Sequence, residues 1–79
     1  MKIFGYNKDN DELQNLKEVS ILCDSYELNE IINYLKYVRT QMTNHEDHFG
    51  HEHFSDWLAK RGDESNIDII VVGSQLVNK

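Results

Sequence analysis

A two-layer α+β fold, one long amphipathic helix packed on a small, mainly antiparallel sheet, is the architecture this sequence predicts. Three observations predict it. Leu28, Ile31, Ile32, Leu35, Val38 and Met42 recur at helical spacing and make one apolar stripe. Val19, Ile21 and Cys23 alternate with Glu18 and Ser20, the period of a half-buried strand. Asn66 to Gly73 holds the densest β-branched run. Seventy-nine residues support one core, so the expectation is a single domain, 1–79, in the order β-β-α-β-β.

The first strand spans Lys2 to Tyr6, rich in β-formers, and the turn-like Asn7-Lys8-Asp9-Asn10-Asp11 follows. The second strand is expected from Lys17 to Cys23, with Cys23 as a buried, inert thiol on its apolar face. Asp24 can cap the helix, and Glu27 three residues later closes a capping box. The helix should run from about Tyr26 to Thr43, with Tyr34 and Tyr37 flanking its stripe and at least one of them packed. From Gly50 to Asp56 a strand is expected. The competing helix would stack Phe54, Trp57 and Leu58 and end at Gly62. Ala59 to Asn66 is turn chemistry, and the run after it reads as a central strand covered on both faces. From about Ser74 a loose tail is expected.

The charge balance narrows the function. Fourteen acids against eight bases give a net charge of −6. That disfavours nucleic acid and anionic membranes as partners, since both need a basic patch, and it suits a basic protein. A single cysteine forms no internal disulfide, and no apolar run reaches the ~18 residues of a membrane span. The chain reads as soluble and cytoplasmic.

The stretch Asn44 to Trp57 concentrates the chemistry. It holds all four histidines (His45, His48, His51, His53) with Glu46, Asp47, Glu52 and Asp56, and no Lys or Arg occurs from Thr40 to Ala59. Three readings compete. On a strand, His51 and His53 share a face and could grip one divalent transition metal such as zinc, with His48 as a third ligand. No cysteine pair and no His-Glu-x-x-His supports that reading. Histidine beside a carboxylate also suits proton transfer. No phosphate loop or nucleophile motif accompanies it, and so short a chain seldom encloses a substrate pocket, so no catalytic residue is assigned. The third reading is interaction. Phe49, Phe54 and Trp57 among His, Asp and Glu have the composition of a protein–protein hot spot, although Phe54 and Trp57 taken singly read first as core. Protonating four histidines would remove four of the six net negative charges near a pKa of about 6.5, so a pH-sensitive surface is a further option.

Phe49-Gly50-His51-Glu52-His53-Phe54-Ser55-Asp56-Trp57, with the Ile67–Val72 run about ten residues later, resembles the small immunity proteins of bacterial polymorphic toxin systems, family thirty-two. The likeness runs in order from Lys2 to Gly73: a KIFGY-like start, an acidic turn, an alternating strand, one long helix, and His-x-His followed by an aspartate. Its specific element is His51-Glu52-His53-Phe54 with Asp56. The resemblance implies a non-enzymatic protein without a cofactor, which binds a cognate toxin and blocks its active site. It carries over only to His51, His53 and Asp56, as signature positions without an assigned role. Charge adds the expectation of a basic, nucleic-acid-cleaving toxin. On this reading Glu52, Phe54 and Trp57 join those three as candidate partner-binding residues.

Overall fold

The structure is a computed structural model and describes residues 1–45 and 47–74. The predicted tail therefore lies outside the described residues from position 75 onward, as does Glu46 of the histidine segment.

The chain folds as a small α+β protein in the order β1 (Ile3–Gly5), β2 (Gln14–Leu16), α1 (Ser25–Asn44), β3 (His51–His53), α2 (Phe54–Lys60), β4 (Ile70–Val72). The strands form two separate antiparallel ribbons. In one, Ile3 pairs with Leu16 and Gly5 with Gln14; in the other, His51 pairs with Val72 and His53 with Ile70.

Helix α1 begins where its cap is written. The Glu27 N–H donates to Asp24 Oδ1 at 2.8 Å, and the Asp24 N–H donates to Glu27 Oε1 at 3.0 Å, so two helix-end donors are satisfied reciprocally. Its inner face carries Ile31, Tyr34 and Val38 into the core, where they meet Phe49, Phe54 and Leu58. Tyr37, Met42, Trp57, Ile69 and Val71 pack around this cluster. At each end of α1 the helix extends one residue beyond the expected span.

The sequence expectations change at three places. Residues 17–23 do not form a strand. The partner of β1 is Gln14–Leu16, and Val19, Ile21 and Leu22 stand exposed. Alternation marks a strand only where a neighbour exists to receive its apolar side, and none covers this segment. Register gives β2 its place: the hairpin closes over Asn7–Asn10, where Asn7 and Asn10 side chains accept from the N–H groups of Asp9 and Glu12. In β1, a Cβ on Gly5 would meet Leu16 Cδ1 at 2.9 Å, a contact that a shift of the leucine's end would relieve.

The second change is at Gly50–Asp56. The strand stops at His53, and the rest joins a second helix that the expected order lacks. Phe54 and Leu58 are core and Trp57 packs against it, a set that shares one side of a helix, whereas a strand continuing past His53 would turn Trp57 to the opposite face from the other two. The helix ends near Gly62, whose φ of +77° is a left-handed conformation that costs glycine little. The third change concerns the β-branched run. Only Ile70–Val72 is strand, paired on one side, with Ile70 and Val72 half exposed rather than covered on both faces. Among the described residues no helix is long and apolar enough to cross a membrane.

Candidate functional site

Two carbonyl oxygens and one carboxylate organise the histidine segment. Helix α2 has only seven residues, and its own N-cap residue, His53, makes no capping bond. Residues across the ribbon complete it. The Phe54 N–H donates to the Ile69 carbonyl at 2.9 Å, and the Ser55 N–H donates to Asp68 Oδ1 at 2.9 Å. Asp68 thereby caps a helix that begins fourteen residues before it, and its charge suits the positive end of the helix dipole. The same carboxylate accepts from its neighbour Ile69 N–H at 2.9 Å and reaches His53 Nδ1 through Oδ2 at 2.6 Å.

The pairing shifts both groups. The hydrogen bond to Asp68 raises the His53 pKa above its ordinary value of 6.5, against the opposing effect of desolvation. Partial burial pushes Asp68 up, but the hydrogen bonds from His53 and Ser55 outweigh it and leave its pKa below the ordinary value.

Tyr34 ties α1 to the same ribbon. Its side chain is fully buried, and its hydroxyl lies 2.8 Å from the carbonyl oxygens of both Glu52 and Ile69, to either of which it can donate its one proton. Burial, with Asp68 and Glu52 nearby, raises its pKa to about 12, so it stays a neutral donor. Its ring lies 5.1 Å from that of Phe54 and 6.0 Å from that of Trp57.

The segment's side chains therefore divide. Phe49 and Phe54 are core, and Phe54 is not a surface contact. This corrects its place among the candidate partner-binding residues, since the turn into α2 points it at Tyr34. His53 is engaged by Asp68. His51 lies beside it, ring centroids 5.1 Å apart, and is itself exposed. Glu52, Asp56 and Trp57 meet elsewhere: with Tyr37, Lys60 and Arg61 they line a shallow depression of about 210 Å³. A larger hollow of about 330 Å³ lies on the β1–β2 hairpin, and neither an acid nor an imidazole lines it.

The cluster is also not free of cations in space, although it is in sequence. The Arg61 guanidinium lies 4.6 Å from the centre of the Trp57 ring, and its Nη2 is 3.8 Å from Glu30 Oε1. The turn after α2 carries the basic end of the helix back beside the acids. The sequence view missed this because Lys60 and Arg61 fall just past the acidic stretch.

The zinc alternative requires a third ligand. Among the described residues no three of His, Cys, Asp and Glu converge where an ion could sit, so His48 does not complete a set with His51 and His53. The residue missed from sequence is Asp68. The available signal was a single carboxylate inside the apolar run Ile67-Asp68-Ile69-Ile70, a position that needs a partner. Searches against protein families, curated proteins and solved structures return no match to this chain, so the site is read from its own residues.

Proposed function

We propose that this chain is an immunity-type binding protein, cytoplasmic and non-enzymatic, that neutralises a cognate bacterial toxin by direct contact. The observation that supports the reading is charge together with exposure. The chain carries a net −6, and Glu52 and Asp56, with Lys60 and Arg61, border the partly exposed Trp57 in a shallow depression. An aromatic anchor ringed by charged groups is the composition of a protein-binding hot spot, and an acidic surplus steers a basic partner. The resemblance of the His51-to-Asp56 signature gives that partner a class, a toxin made beside this protein, and the net negative charge adds a basic site for phosphates.

In this reading His53 and Phe54 hold the segment in shape, and His51, Glu52, Asp56 and Trp57 make contact. The test is to mix the purified protein with the product of the neighbouring gene and follow association at several salt concentrations. A complex whose association rate falls with salt, and falls further in Asp56→Lys, is the expected result. No complex, or one indifferent to salt and to Asp56→Lys, would overturn it.

A further inference from the structure

Helix α1 has a second apolar stripe that the core does not use. Leu28, Ile32 and Leu35 follow one another at steps of four and three, which places them on one side of a helix, and all three are 42–46% exposed. Their neighbours on the inner face, Ile31, Tyr34 and Val38, are buried. The α2–β3–β4 layer therefore covers one side of a helix that is apolar on two.

The charges on this outer side are arranged by position. Asp24 stands at its start, Lys36 and Arg39 follow in its second half, and no basic residue occupies the last turn of α1. If a second copy packs against the stripe with its helix reversed, a two-fold axis between positions 31 and 32 sets Leu28 opposite Leu35 and Asp24 opposite Arg39. Both pairs fall in the same register, and symmetry makes each twice. Reversal also aligns the helix dipoles favourably. A parallel pairing would instead place Asp24 against Asp24 and Arg39 against Arg39.

We propose that this face takes a second copy of the same chain, in an antiparallel α1–α1 pairing whose two-fold axis passes between positions 31 and 32 and brings the exposed Ile32 of each copy to the seam. The occupant follows from self-complementarity: one surface supplies the leucines and both members of the charge pair. This proposal does not depend on the toxin-binding reading, which uses α2. A stripe of three side chains is smaller than the ~800 Å² per partner of a standard interface, so the association is expected to be weak.

Sedimentation equilibrium of the full chain over a wide range of loading concentrations tests it. The expected result is a concentration-dependent rise from the monomer mass of 9.3 kDa towards twice that value. Ile32→Lys and Leu35→Lys, both at exposed positions, should each hold the protein at the monomer mass with the far-ultraviolet circular dichroism unchanged. Arg39→Glu should weaken association about tenfold, which equals about 1.4 kcal/mol. Direction is read by cross-linking in a Cys23→Ser background: Leu28→Cys and Leu35→Cys proteins should form a disulfide when mixed and not when alone. A monomer at every concentration, a dimer indifferent to both lysine variants, or self-cross-linking of each cysteine variant would overturn the proposal.

Discussion

Phe4 and Phe54 lie at opposite ends of the same design problem. Each sits in or directly after a three-residue strand of a two-stranded antiparallel ribbon. Phe54 is buried under Tyr34, while Phe4 is close to half exposed. The difference lies in what stands above the ribbon. The β3–β4 ribbon has the inner face of α1 on it, the Tyr34 hydroxyl bonding its carbonyls, and α2 capped from its far strand. The β1–β2 ribbon has hydrogen bonds but no comparable core. An isolated two-stranded hairpin is marginal in water, whereas the same unit under a helix gains from every apolar group it hides. The β3–β4 half carries the stability of this protein, and the N-terminal half depends on it or on a partner.

The sharpest way to break that comparison is to cut both rings back. Phe54→Ala should destabilise by about 3–5 kcal/mol, while Phe4→Ala should stay within about 0.5 kcal/mol. Urea denaturation of both variants checks this, and equal losses would refute the division. A domain of this size holds about 0.05–0.15 kcal/mol per residue in all, so Phe54→Ala should remove a large share of its stability.

Tyr34→Phe comes next. It keeps the ring and removes only the hydroxyl, leaving the Glu52 and Ile69 carbonyls without that donor, at a cost of about 1–3 kcal/mol. A loss below about 0.5 kcal/mol would mean that water or a shifted strand replaces it.

Asp68→Ala removes the remote cap and should cost about 1 kcal/mol. Its pH dependence sharpens the assignment. His53 titrates above its ordinary value of 6.5, so its contribution is complete below that pH and fades as pH rises through the higher folded-state value. Asp68 titrates below its ordinary value of 3.8, so its contribution is complete above that and fades as pH falls through the lower folded-state value. The gap in urea midpoint between the protein and Asp68→Ala should therefore be widest between those two values. A gap that stays constant from mild acid into mild alkali would show that the pair does not stabilise the fold. Gly62→Ala forces an L side chain to φ +77° and should likewise cost about 1 kcal/mol.

The same contrast explains what could be read from the sequence. Helix α1 was legible nearly residue by residue, because its cap and its spacing are local signals. The apolar stripe was legible as a whole but not in its division. Spacing shows that Ile31 and Ile32 are both apolar, and only the position of α2 and β4 decides that one is buried and the other is not. At Val19–Cys23 the strand pattern was real and the pairing partner was missing, so no strand formed. At His51–Leu58 both readings held in turn, strand to His53 and helix beyond it. The role of Asp68 depends on contacts 13 and 15 residues away along the chain, and no local pattern encodes those. The expectation of a histidine cluster failed in part for the same reason: neighbours in sequence were sent to the core, to Asp68 and to the surface.

The remote cap on α2 also has a meaning for synthesis. As the chain leaves the ribosome, Phe54 to Lys60 emerges before the residues that complete its first turn. Seven residues are too few to hold a helix unaided. That segment therefore waits, with Phe54 and Leu58 in water, until Asp68 and Ile69 are extruded and fold back over it.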